Sequence, residues 1–248
     1  MTWPAGYDRV ILTEVDSTNA EAARRANEAA APIWILAQTQ TAARGRRGRP
    51  WAMPKGNFAA TLLLHPTEPP QTVALRSFVA ALALYDAFVA VTGRSTGLGL
   101  KWPNDVLLNG GKVAGILLES LGQGRGVSHL AIGIGINLAR APQPSEVEPQ
   151  ALRPVSLADE TGARVTPEEF LSHLATSYAH WEQHFTTYGF APIREAWLAR
   201  AARVGEVITA RTARSETTGT FETVDMSGAL VLATAKGREA IPAAEIFF

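Results

Sequence analysis

The chain has 248 residues, 46% of them apolar, with 23 basic residues balanced by 23 acidic ones and no cysteine. This supports one large domain, or a large domain with a small companion, and excludes intrinsic disorder, disulfides, thiolate metal sites and cysteine nucleophiles. Zero net charge gives no overall attraction to nucleic acid or anionic lipid, so any anion site must be local.

The opening residues MTWPAGYDRV lack the charged start and apolar run of a secretory signal. Residues 8–15 (DRVILTEV) are β-branched and apolar enough for a strand. A capping box, Thr18 with Glu21, then predicts a helix running to Ala31. Ile33 to Thr39 and Phe58 to Leu64 read as two more strands, joined by an arginine- and glycine-rich connection. Residues 71–92 read as one long buried helix. Their most apolar run, 78–91, carries Asp86 and is shorter than the about 20 residues of a membrane span. A cytoplasmic protein without membrane contact is expected.

From Leu98 the pattern shortens into the strands LGLKW, DVLLN and KVAGILLES. The last two meet across Asn109-Gly110-Gly111, a hairpin signal because Asn and Gly tolerate positive φ. Val127 to Leu138 is a further buried strand, and the proline-rich 139–154 segment is a loop. Thr166-Pro167-Glu168-Glu169 opens a helix with a cap, an N1 proline and a capping-box glutamate, and Gly189 ends it. Ala191 to about Arg203 is the last helix. Val204 to Phe248 alternates short β runs with turn residues. The fold class expected is α+β: residues 1–203 as a catalytic-sized domain and 204–248 as a small all-β domain.

Three constellations carry chemistry. In Arg44-Gly45-Arg46-Arg47-Gly48-Arg49, followed by Pro50-Trp51, guanidinium forks match phosphate or carboxylate oxygens in pairs, and glycines let backbone approach a ligand. The plainer readings are a solvated charge run or an RNA-binding segment. Zero net charge and the lack of interleaved aromatics argue against the latter. The second constellation is Lys101-Trp102-Pro103-Asn104-Asp105 with Lys112-Val113-Ala114-Gly115. Asn104 and Asp105 suit a nucleotide or Mg²⁺, Lys112 suits a cleft, and Gly115 suits close approach of a ligand. The third, Gly133-Ile134-Gly135-Ile136-Asn137, is not a dinucleotide fingerprint, since Leu138 takes the third glycine position. His180 and His184 have zinc-ligand spacing, but Trp181 stands where a zinc peptidase has glutamate, so an amphipathic helix explains them.

Together with Asp16-Ser17-Thr18-Asn19, these motifs resemble those of biotin protein ligases over nearly the whole chain. The resemblance implies a central mixed β-sheet flanked by helices, with an SH3-like β-barrel at the C-terminus. It also implies a two-step reaction in which biotin and ATP form biotinyl-5′-AMP, and the biotinyl group then passes to a lysine of a biotin carboxyl carrier protein. Ser17, Thr18, Asn19, Gln40, Arg44, Gly45, Arg46, Lys112 and Gly115 are assigned to biotin by the same likeness. Arg46, Arg47, Arg49, Trp51, Asn104 and Asn137 are assigned to ATP. Lys112, Arg46 and Asp105 are the implied catalytic residues, with no protein metal ligand beyond Mg²⁺ arriving with ATP near Asp105. A lipoate or octanoyl ligase of the same fold is the alternative. No room is expected for an N-terminal repressor domain, no nucleic-acid partner is expected, and an exposed sheet edge would support a homodimer. Ala43 stands where the family loop commonly has glycine, so strain is expected there if the backbone needs positive φ.

Overall fold

The computed structural model describes residues 2–121, 126–143, 146–147, 152–212 and 214–247. Of the proline-rich 139–154 loop, residues 144–145 and 148–151 lie outside that description. Strand β1 (Asp8–Val15) runs parallel to β2 (Ile33–Gln40), and helix α1 (Thr18–Arg25) connects them. Strands β3 (Phe58–Leu64), β4 (Leu98–Lys101), β5 (Asp105–Leu108), β6 (Gly111–Leu121) and β7 (His129–Ile136) add antiparallel neighbours. The result is a mixed seven-stranded sheet in the order β1-β2-β3-β7-β6-β5-β4.

Period-two alternation explains how that sheet is buried on both faces. On one face Trp34, Leu36, Leu62, Ile132 and Ile134 join the main core under α3 (Arg76–Thr92) and α5 (Pro167–Tyr188). Edge-to-face aromatic pairs, Trp34 with Tyr178 and Phe88 with Phe170, tie the helices to the strands and to each other. On the other face, Ile35, Leu63 and Ala131 meet Ala22 of α1 and Ala26 just past its end. Each fully buried Leu, Ile or Phe contributes about 1.5–3 kcal/mol.

Several boundaries differ from expectation for identifiable reasons. Helix α1 is capped at Ser17, not by a Thr18 box, because Thr18 is drawn toward Gln40 and Glu21 turns to Arg24 and Arg25. It ends at Arg25, well short of Ala31. The expected 71–92 helix is two helices, α2 (Pro70–Ala74) and α3, meeting at Leu75. By length and composition Pro70–Thr92 would suit a membrane span, but 67% of its most apolar 18-residue window is buried inside the protein. The short α4 (Leu157–Thr161) follows the loop, and α6 is confined to Phe190–Leu198. The Asn109-Gly110 turn forms as read, with both residues at positive φ (49° and 77°).

The C-terminal strands β8 (Val207–Arg211), β9 (Glu216–Val224), β10 (Leu230–Thr234), β11 (Gly237–Ile241) and β12 (Glu245–Phe247) form a second, antiparallel sheet in the order β11-β10-β9-β8-β12. This is the arrangement an SH3-like unit calls for. It docks on the first sheet's domain through Trp102, whose Nε1 donates to the Gly228 carbonyl (3.0 Å), and through Arg194, which reaches Val224 and Thr223.

The α5 cap realises the sequence signal in full: Thr166 Oγ1 accepts from the Glu169 N–H (3.2 Å), and the Glu169 carboxylate accepts from the Thr166 N–H (2.9 Å). Thr166→Ala is expected to lower stability by about 1 kcal/mol. Urea unfolding checks this: the midpoint should fall with the slope unchanged, and an unmoved midpoint would show that the cap contributes nothing.

Candidate active site

The sheet builds the floor of a cleft of about 770 Å³, a size that suits a small molecule. In register across β4, β5, β6 and β7 lie Lys101, Asp105, Gly115 and Gly135. Directly aligned residues share a face, so this row places two charges beside two glycines. In β7 the isoleucines enter the core while Gly133 and Gly135 face the cleft. A side chain at either would collide: a Cβ on Gly135 would lie 2.7 Å from the Trp51 ring, and one on Gly133 would lie 2.2 Å from Asn19 Oδ1. The Gly-x-Gly pattern is therefore a clearance for what packs above it.

Lys112 reaches this row by a bulge. Residues 112 and 115 are an odd number apart, so a regular strand would point them to opposite faces. The β5–β6 register shifts between Val106 and Leu107, pairing Val106 with Ala114 but Leu107 with Lys112. The extra residue turns Lys112 back to the cleft face. Its Nζ lies 2.7 Å from Asp105 Oδ1 and 5.4 Å from the centre of the Trp51 ring. Lys101 Nζ lies 3.7 Å from the other Asp105 oxygen.

Burial pushes Asp105 up, but the charges of Lys112, Lys101 and Arg46 outweigh it and hold the carboxyl below its usual range. Burial also lowers Lys101, against the pull of Asp105. Both Asp105 oxygens face ammonium groups, and among the described residues no group of three or more His, Asp or Glu gathers to hold a metal. The residues do not fit a protein-held ion there.

The arginine loop lines the same cleft and is closed on itself, Gly45 N–H donating to the Arg49 carbonyl (2.8 Å) and Trp51 N–H to the Ala43 carbonyl (3.0 Å). Its like charges are separated onto the protein's own acceptors. Arg44 grips Glu119 with two hydrogen bonds (3.1 and 3.2 Å), Arg46 reaches Asn104 Oδ1 (3.3 Å), and Arg47 and Arg49 share Glu245. Burial lowers Arg46. The positive φ in this loop falls on Arg47 (60°) and Gly48 (73°), not on Ala43, so the strain expected at Ala43 is absent.

At the α1 end, Gln40 Oε1 accepts from the Thr18 N–H (2.7 Å). Thr61 Oγ1 links Thr18 (2.8 Å) to Asn19 (2.6 Å), and Asn19 Nδ2 donates to Glu119 (2.8 Å). Ser17, Thr18 and Asn19 are buried. The residues assigned from the sequence to biotin, ATP or catalysis all border this one cleft. Asn137 does so with its amide engaged by Val155 and Asn57. Sequence reading missed Thr61, Glu119 and Glu245 as partners of these groups, and gave Lys101 no role. Glu119 lies four residues beyond Gly115 on β6, an even step that keeps it on the cleft face, and only strand register could have aligned it with the loop.

Comparison with known proteins then decides the family. Residues 11–137 match the family model described as the biotin/lipoate A/B protein ligase family, and residues 204–248 match the biotin protein ligase C-terminal domain. The chain belongs to the biotin/lipoate A/B protein ligase family. It is 58% identical to the biotin–[acetyl-CoA-carboxylase] ligase of Paracoccus denitrificans over 96% of this chain and 99% of that relative. The bifunctional ligase/repressor BirA of Bacillus subtilis is 32% identical over 95% of this chain and 71% of its own length. Among solved structures, the biotin protein ligase of Aquifex aeolicus in complex with biotin and ATP superposes with a TM-score of 0.82 at 27% identity, covering 96% of this chain and 97% of that one.

The shared Asp105 carboxylate makes a pH-dependent prediction. Its folded pKa lies below the unfolded value of about 3.9, so its stabilisation is complete above that pH and is lost as pH falls through the folded pKa. Asp105→Asn, which strands two ammonium groups, is expected to cost on the order of 3 kcal/mol at neutral pH. That deficit should shrink below about pH 4. Urea unfolding of both proteins from pH 7 to pH 3 checks this, and a deficit that does not change with pH would contradict it.

Proposed function

We propose that the chain is a biotin protein ligase that activates biotin with ATP and transfers the biotinyl group to a lysine of a carrier protein or domain of acetyl-CoA carboxylase. The observation that carries this reading is the meeting, over one glycine floor, of Lys112 and the arginine loop with the buried Ser17, Thr18 and Asn19 and the half-buried Gln40. The named relatives support biotin over lipoate as the acid. ATP arrives with Mg²⁺ as part of the substrate.

In the first step an oxygen of the biotin carboxylate attacks the α-phosphorus, the bond to the bridging oxygen breaks, and pyrophosphate leaves. Negative charge crowds around a five-coordinate phosphorus. Lys112, already on the cleft face, moves from Asp105 to the carboxylate and α-phosphate. Arg46, Arg47 and Arg49 meet the remaining phosphate charge, and Trp51 and Asn104 border the nucleotide. Arg44 and Gly45 close over biotin. Lys101 stays beside Asp105 as its counter-ion.

The detour through an adenylate is chemically required, because a carboxylate is a poor electrophile and AMP is a good leaving group. In the second step the acceptor lysine, which has given up a proton to solvent to become a neutral amine, attacks the acyl carbon, AMP leaves with the electron pair of its carbon–oxygen bond, and the nitrogen releases a second proton to solvent. Asp105, held ionised, accepts a hydrogen bond from that amine and orients it once Lys112 has left. We place this chemistry in the cytoplasm, with no nucleic acid or membrane as partner.

Mass spectrometry of an apo carrier domain incubated with the protein, Mg²⁺, ATP and biotin should show one biotinyl addition on one lysine. No addition with biotin, or addition with lipoate instead, would overturn the reading. Lys112→Ala should slow adenylate formation in a single turnover by about 10²–10³-fold. A near-normal rate with an intact fold would remove Lys112 from the mechanism.

A further inference from the structure

We propose that Glu245, on the last strand of the C-terminal sheet, is a positioning residue for the triphosphate of ATP: its single carboxylate clamps Arg47 and Arg49 together on the wall of the cleft. The inference rests on the cleft being the ATP site. Glu245 lines that cleft together with Arg211, Ile246 and Phe247, although it lies nearly 200 residues along the chain from the loop it holds.

The geometry is that of a clamp. Arg47 Nη1 reaches Glu245 Oε2 at 2.8 Å and Arg49 Nη1 takes Oε1, so each carboxylate oxygen has its own guanidinium. The Arg47 guanidinium carries five N–H donors, so its bond to Glu245 through one Nη1 atom fixes the side chain without exhausting its fork. The hydrogen bond from Arg49, working against burial and helped by both arginine charges, holds the Glu245 carboxyl below its usual range.

The loop needs such a brace. No residue of the Arg46–Gly48 turn is fully buried, and Arg47 sits in the left-handed region, a strained conformation for a side-chain-bearing residue. The loop sequence from Arg44 to Trp51 carries no acidic residue to offset the repulsion between Arg47 and Arg49. Docking of the C-terminal sheet, by contrast, does not depend on Glu245. It is carried by Trp102 on the Gly228 carbonyl and by Arg194 on Thr223 and Val224. A Glu245 variant therefore separates loop positioning from domain docking.

The test uses the full chain with Glu245→Gln, Glu245→Ala and Glu245→Asp. The readouts are equilibrium binding of Mg²⁺ with α,β-methylene-ATP, KM for ATP and for biotin in biotin-dependent pyrophosphate release, melting temperature, and trypsin cleavage at the loop arginines. Glu245→Gln and Glu245→Ala should weaken analogue binding and raise KM for ATP by about tenfold. KM for biotin and the melting temperature should stay near those of the wild type, the loop should be cut faster, and Glu245→Asp should restore part of the ATP affinity. Tighter analogue binding would make Glu245 a competitor of the phosphates and overturn the proposal. Equal rises in both KM values with a lower melting temperature would reduce it to a structural contact and also overturn it. Wild-type protein that binds the analogue, with variants that bind equally well, would overturn this inference alone. Wild-type protein that does not bind it would overturn the ATP reading as well.

Discussion

Two ammonium groups and a guanidinium cannot be gathered away from bulk water unless an anion sits among them, and in this protein that anion is Asp105. It occupies the row of the sheet that also carries Gly115 and Gly135, so the charge it stabilises is delivered to the floor of the cleft. The bulge in β6, the cross-strand register and the helix-covered core behind it all serve to hold that row in place. Without the carboxylate, Lys101 and Lys112 would repel across the floor of the cleft.

The same logic extends outward. Each cluster of positive charge in the cleft has an acid of the protein beside it: Asp105 for the lysines, Glu119 for Arg44, and Glu245 for Arg47 and Arg49. These acids come from β5, β6 and β12, so the cationic loop is tied at once to the central sheet and to the C-terminal one. On the proposed reading, an anionic ligand entering the cleft would exchange protein carboxylates for its own oxygens. Such exchange costs less reorganisation than assembling the cations from solvent, which is the sense in which the site is preorganised.

Much of this was legible in the chain itself. The arginine loop, the Lys112 hairpin and the buried Ser17-Thr18-Asn19 run stood out because their residue types conflict with their surroundings, and such conflicts concentrate at sites. The Asn109-Gly110 turn and the Thr166 cap were readable because local backbone chemistry alone decides them. What could not be read depended on register. Glu119, Thr61 and Glu245 act through partners 42 to 198 residues away, and no local pattern reports such pairings. The β6 bulge was hidden for the same reason: its parity shift exists only relative to β5. Helix α1 misled because Thr18 has the residue type of a cap while its hydroxyl serves the cleft.

The central claim is that Lys112 is held in waiting by Asp105 and is passed to the reacting phosphate. A crystal structure of the protein with a non-hydrolysable analogue of biotinyl-5′-AMP tests it most directly. The account predicts that Lys112 Nζ lies within hydrogen-bonding distance of the oxygens around the phosphorus, that Lys101 remains on Asp105, and that the arginine loop covers the ligand. An analogue bound with Lys112 still paired to Asp105, far from that phosphorus, would contradict it.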